Sequence, residues 1–248
     1  MNNKSFIFIL LVFLVAQAKP LQAQKGVWSI GIEGGPGLSL IYGSESVYSH
    51  PEPALSGVAG IFGEYGFLPK FSAKLALQYE RISTFTDNHS ALLASGGRLK
   101  YNLDYISMPV LVKWHTRGRI SFFVNAGPSL SLLLQESLWY LPDNGSKEKV
   151  ANETNAYHVI NLAVTAGAGI SFPVWKRILL SLEVRDNLGI LNIRSGSSEF
   201  EQNSNFSAGS AKGYTNSTLL MAGVSYRFGG SKGLPCTPND PDFQYLHK

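Results

Sequence analysis

The sequence predicts an all-β chain, specifically an eight-stranded antiparallel up-and-down transmembrane β-barrel. Three observations carry that prediction. Apolar and polar residues alternate with a period of two in eight segments, as they do in strands with two unlike faces. The connections between those segments alternate between long polar loops and tight turns, the loop asymmetry of outer-membrane barrels. An apolar N-terminal segment reads as a secretion signal, and no later apolar run is long enough for a spanning helix.

The strands follow in order along the 248-residue chain. The first, about residues 26–42, sets Trp28, Ile30 and Ile32 against Ser29, Gly31 and Glu33, with a bend at Gly34-Gly35-Pro36-Gly37. A polar loop leads to the second, 55–67, where Ala59, Ile61, Tyr65 and Phe67 oppose Gly60 and Glu64. Leu68-Pro69-Lys70 turns tightly into the third, 71–83, with Ala73, Leu75, Leu77 and Tyr79 against Lys74, Gln78 and Glu80. The fourth, 100–114, sets Ile106, Met108, Val110, Val112 and Trp114 against Tyr105, Ser107 and Lys113; Pro109 implies an irregular ladder there. After a turn at 116–119 the fifth strand alternates Phe122, Val124, Ala126, Leu130 and Leu132 with Ser121, Asn125, Ser129 and Ser131. A long loop is expected at 135–157. The sixth strand, 158–172, the turn 174–177 and the seventh strand, 178–193, follow, the last with Leu180, Leu182 and Val184 against Ser181, Glu183 and Arg185. A Ser/Asn/Gly-rich loop, 194–216, precedes the eighth strand, which ends on Tyr226, Arg227 and Phe228.

Three regions are expected: a signal peptide at 1–23, a barrel at 24–228 and a periplasmic Pro-containing tail at 229–248 without periodicity. Lys4 and the apolar stretch 6–15 form the signal, with cleavage after Ala18 or, preferably, Ala23. Removing it deletes Lys4 and Lys19 and no acid, so the formal charge falls from +4 to +2. No basic cluster remains to track a phosphate backbone, and nucleic-acid binding is not expected. The single cysteine, Cys236, excludes an intramolecular disulfide and a Cys-based zinc site. No metal and no cofactor is expected.

Alternation alone does not say which face meets lipid, because a soluble lipocalin-type barrel turns its apolar face inward. Two patterns favour apolar-out. Trp28, Phe67, Phe71, Trp114, Phe122, Phe172, Trp175, Tyr226 and Phe228 gather where strands meet the short turns, as in a membrane-interface girdle. The polar faces carry Glu33, Glu64, Glu80 and Glu183 with Lys74, Lys113, Arg185 and Arg227, four acids for four bases. Outward, each base would cost about 2–4 kcal/mol near the midplane; inward, the charges can pair. An eight-stranded barrel is just wide enough for its own side chains to fill, so this pattern predicts a plugged, charge-compensated lumen.

Residues Leu103-Asp104-Tyr105-Ile106-Ser107-Met108-Pro109-Val110-Leu111-Val112-Lys113 resemble the fourth-strand motif of the PorT-like outer-membrane β-barrel family. Gly127-Pro128, Gly167-Ala168-Gly169, the stretch from Arg185 through Gly189 to Asn192-Ile193, and the terminal Tyr226-Arg227-Phe228 are similar to further strand motifs of that family. The resemblance implies a bacterial outer-membrane location, contact with outer-membrane lipid and lipopolysaccharide, and recognition of the last strand by the barrel-assembly machinery. It also implies a periplasmic or secretion-system protein as a partner class, and most relatives carry no assigned activity. Family chains commonly stop at the terminal aromatic, whereas this one continues through 229–248.

An even strand number puts both termini on the periplasmic side. The expected role is non-enzymatic: a structural, adhesive or assembly-partner protein acting through its loops, with Trp139 and Tyr140 as candidate loop-binding residues, and the tail as a second docking segment. The alternatives are a narrow channel or small-solute transporter, and a rim-located lipid hydrolase or acyltransferase. The last would draw on His158 with Ser197 or Ser198, but no Gly-x-Ser-x-Gly elbow is present.

Overall fold

The computed structural model describes residues 26–43, 51–87, 98–141, 148–151, 157–175, 177–195 and 212–228. The expected signal peptide and tail lie outside them. The described residues form nine strands: β1 Val27–Gly43, β2 Glu52–Leu68, β3 Phe71–Asp87, β4 Arg98–His115, β5 Ser121–Leu141, β6 Glu148–Ala151, β7 Ile160–Trp175, β8 Ile178–Gly189 and β9 Gly213–Phe228. Eight of them, all but β6, close an antiparallel up-and-down ring, with β1 pairing β9 and β4 pairing β5. The four-residue β6 pairs only with the end of β5.

The register fixes the size of the ring. Trp28 pairs Tyr65, which pairs Ala73, and the ladder continues through Val112, Ala126, Ala166, Asp186 and Thr218 to Leu38. One circuit therefore returns to β1 ten residues above its start. With about 3.3 Å per residue and about 4.8 Å between strands, that offset tilts the strands by about 40°.

Outside, the wall is apolar. Ile32 is 64% exposed, Val184 55% and Leu220 59%, and apolar side chains of other strands continue the band. So broad a contiguous apolar surface needs a nonaqueous neighbour. Inside lie Glu33, Lys74, Gln78, Asn125 and Arg185, all buried. The polarity is that of a barrel in lipid.

The band ends sharply on the long-loop side. On β4 the outward positions Ile106, Met108, Val110 and Val112 give way to Asp104, Asn102, Lys100 and Arg98. The inward positions Lys113 and Ser107 give way to Tyr105, Leu103, Tyr101 and Leu99, all buried. On β3 the same inversion replaces inward Glu80 by Ile82 and outward Tyr79 by Arg81. Arg81 and Asp104 are partners in the ladder, and the guanidinium donates to both carboxylate oxygens at 2.6 and 2.8 Å. Arg81 follows Phe71 by ten residues on β3. At the tilt above that is about 25 Å along the axis, the height of a transmembrane barrel's apolar band. Beyond this boundary the barrel has a largely apolar interior of Ile41, Ile82, Leu99, Tyr101, Leu103, Tyr105, Leu138, Tyr140, Tyr157 and Ile193, with Glu136 and Arg194 buried beside it.

This cap explains where the strands outrun the alternation. β5 was expected to stop before residue 135 and instead continues to Leu141. Asp104 pairs Gln135 and Tyr105 pairs Leu133, so Leu134 is an extra, bulged residue. Inward positions are odd-numbered up to Ser131 and even-numbered from Glu136, which hides the continuation from a fixed period of two. β3 reaches Asp87 rather than Ser83 for the related reason that its apolar residues change face. In the other direction β8 stops at Gly189, short of the expected 193. Pro109 leaves a gap in the β3–β4 ladder without shifting its register. At Gly35 a Cβ would stand 1.9 Å from the Leu220 carbonyl oxygen, so β1 and β9 approach closely there only with glycine.

Two outcomes test this architecture. Leu103→Ala, fully buried in the cap, should lower unfolding free energy in denaturant titrations by about 2–5 kcal/mol. Val184→Lys, on the lipid face near mid-wall, should cost about 2–4 kcal/mol in the same titration in lipid.

Candidate functional site

Most of the chemically distinctive side chains in the described residues of the spanning wall project into the lumen; Asp186 is on the outward face of β8, where it accepts from the Thr218 hydroxyl at 2.8 Å. Near the short-turn end, Glu64 on β2 faces Lys113 on β4. The Lys113 ammonium donates to Glu64 Oε2 at 3.0 Å, and the Ser72 hydroxyl donates to Oε1 at 2.6 Å. Above this pair, Glu33, Lys74, Glu183 and Arg185 form one cluster. Lys74 donates to Glu33 Oε2 at 2.5 Å and lies 3.7 Å from Glu183 Oε2. Arg185 grips Glu183 through Nε at 2.7 Å and Nη2 at 3.1 Å, and Nη2 is 3.5 Å from Glu33. Gln78 and Asn125 donate amide hydrogens to Glu33 and Glu183 at 2.7 and 3.0 Å. Arg185 is only 1% exposed, so its charge is viable because two carboxylates surround it.

The four acids and four bases do not all pair. Glu80 has no basic partner among the described residues; it is 4% exposed and accepts from Ser217 at 2.7 Å, Asn187 at 3.0 Å and Ser107 at 3.1 Å. Neutral donors hold this carboxylate. The guanidinium of Arg227, near the end of β9, has no ion pair or hydrogen bond among the described residues, while its backbone N–H donates to the Arg177 carbonyl at 2.8 Å. The two unpaired charges thus lie far apart on the barrel axis, Glu80 high on β3 and Arg227 at the opposite mouth.

Two lumen aromatics carry no signal in the alternation. Lys74 Nζ lies 4.4 Å from the Phe62 ring centroid and Lys113 Nζ lies 4.3 Å from that of Phe123. Each base therefore has a carboxylate and an aromatic face, a cation–π contact that strengthens where water is excluded. Phe62 and Phe123 stand next to the apolar outward residues Ile61 and Phe122, so the sequence makes the aromatic positions look like part of the outer face.

The girdle residues Trp28, Phe67, Phe71, Trp114, Phe122, Trp175, Tyr226 and Phe228 are exposed at the short-turn ends of their strands, and Phe172 is half-buried there. Trp28 pairs Phe228 and Phe71 pairs Trp114 across strands. Tyr65, whose ring centroid is 4.6 Å from that of Trp28, joins them.

Trp139 and Tyr140 require a correction: they belong to β5, not to a loop. The bulge at Leu134 turns Tyr140 into the apolar cap, while Trp139 stays half-buried with its indole N–H donating to Ser137 at 3.3 Å. They point to opposite faces and form no joint patch. His158 is exposed, its backbone N–H bonded to the Ile193 carbonyl at 2.6 Å; Ser197 and Ser198 lie outside the described residues. Among the described residues no group of three or more His, Cys, Asp or Glu side chains could hold a metal.

No curated protein sequence matches the chain. Several solved barrels resemble it at low identity. Neisserial surface protein A is 15% identical over 80% of this chain and 97% of its own, with a TM-score of 0.40. OprG, an outer membrane protein from Pseudomonas aeruginosa, is 12% identical over 83% and 96%, with a TM-score of 0.44. Ail, the attachment invasion locus protein of Yersinia pestis, is 12% identical over 81% and 98%, with a TM-score of 0.35. The profile of the family described as "Outer membrane protein beta-barrel domain" matches residues 16–195, well over half of the sequence. With its closed eight-stranded ring and lipid-facing wall, the chain belongs to this family of barrels in the bacterial outer membrane.

Proposed function

We propose that the protein is a non-enzymatic outer-membrane barrel with a plugged lumen, acting as a structural, adhesive or assembly-partner protein through its long-loop end. The observation that carries this reading is the interlocked lumen. The Glu33–Lys74–Glu183–Arg185 cluster spans opposite walls, the Glu64–Lys113 pair lies beneath it, and the apolar cap stands above it. A solute crossing the barrel would have to separate buried ion pairs and then pass an apolar stopper, and each separated pair leaves uncompensated charge in a low-dielectric space. The cap also supplies a rigid base for the long loops, the usual site of recognition on a barrel.

Both termini on the periplasmic side is part of the same proposal, with the long loops outside and the tail 229–248 available to a periplasmic or secretion-system partner. Motifs in β4, β5, β7, β8 and β9 support a PorT-like affiliation within the broader family. They do not single out a secretion component.

Three outcomes test the proposal. Refolded protein in planar bilayers should give no steady conductance; sustained steps of about a nanosiemens would instead favour the channel. Lys74→Met should destabilise the fold by about 3–5 kcal/mol in denaturant titration, since it leaves buried acid without its base. An epitope added after Lys248 should be inaccessible to antibody on intact cells and accessible after outer-membrane permeabilisation; labelling of intact cells would reverse the orientation.

A further inference from the structure

The short-turn mouth of the lumen encloses a cavity of about 50 Å³. At about 10–15 Å³ per water on this measure, it has room for a few waters or one small ion. Its lining carries three bases, Lys74, Lys113 and Arg227, against two acids, Glu64 and Glu183. Lys74 and Lys113 are already engaged by carboxylates and aromatic rings. Both oxygens of Glu64 are taken by Ser72 and Lys113. The positive charge left over belongs to Arg227, which pairs across the β1–β9 ladder with Ser29. Beside it, His115 is 3% exposed, and neither of its imidazole nitrogens has a hydrogen-bond partner of good geometry among the described residues. A buried imidazole without a partner is costly, and here it lines the same space as an unpaired guanidinium.

We propose that this cavity is a binding site for a small oxyanion, inorganic phosphate or a compact carboxylate. Arg227 supplies the charge, and its planar fork suits two oxygens of such an anion. His115 and the hydroxyl of Ser29 supply neutral hydrogen bonds. A cation would meet the excess of bases. A plug needs no ligand, so this inference stands apart from the function proposed above.

The test uses the full chain refolded in detergent micelles, with heat-modifiable gel mobility confirming that each variant is folded. Calorimetric titration with phosphate and, separately, with acetate should show saturable one-site binding of at least one of them, and the two arms identify which. R227Q should weaken it at least tenfold, whereas K70Q, a change of an exposed turn lysine, should leave it unchanged. Should R227Q not fold, H115F, which fills the cavity without altering net charge, must abolish binding. Absence of saturable binding by both anions, unchanged affinity in R227Q or, where R227Q does not fold, in H115F, or equal loss in K70Q would overturn the proposal.

Discussion

With no water in the hydrocarbon to bond to, each peptide N–H and C=O of a spanning strand must find its partner on a neighbouring strand, and the ring of strands must close. In this chain closure occurs with eight strands and a ten-residue offset, set by the pairing of β9 back onto β1. That offset fixes the tilt, the tilt fixes the diameter, and the diameter leaves room for side chains and little else. The lumen then inherits a strict requirement. Whatever the alternation sends inward must fill the space and satisfy its own charge. Glu33, Lys74, Glu183 and Arg185 meet it by converging from β1, β3 and β8. Gln78 and Asn125 occupy the acceptor sites that the bases leave open.

The same wall serves two solvents. Within the membrane the apolar side chains face outward. Past the Arg81–Asp104 pair they face inward, as in a soluble protein. Asp104 and Arg81 sit where one arrangement passes into the other, and the bulge at Leu134 falls at this level. A bulge costs one ladder position but rephases a strand without a break. Here it lets β5 deliver Leu138 and Tyr140 to the cap after delivering Ser129 and Ser131 to the polar lumen. The extracellular half proposed for this protein is thus a small apolar-cored platform continuous with the transmembrane wall.

Much of this was legible in the sequence. Alternation in residues 71–80 and 178–185 specified both the strands and the faces of Lys74, Glu80, Glu183 and Arg185, because one period governs each segment inside the membrane. Aromatic clustering at the short turns located one membrane boundary. The other boundary was written too, in the exchange of polar and apolar faces between Asn102 and Ser107, but the same exchange on β5 resembles the end of a strand when only one polarity is expected. Trp139 and Tyr140 were misplaced for that reason, and the unpaired Leu134 compounded it.

Local periodicity therefore determined that the chain is β, that its strands are amphipathic and that ionised side chains share one face, since each of these follows from where successive Cβ atoms point. Which charges meet was decided only by tertiary structure. Glu33 and Arg185 lie on strands distant in sequence, and they approach because closure puts only β9 between β1 and β8 and the register brings the two side chains to similar height on the lumen face. The equal number of acids and bases concealed that Glu80 is held by neutral donors and that Arg227 stands without an ion pair. Pairing depends on height and azimuth in the ring, and register between strands, which no single strand encodes, sets both.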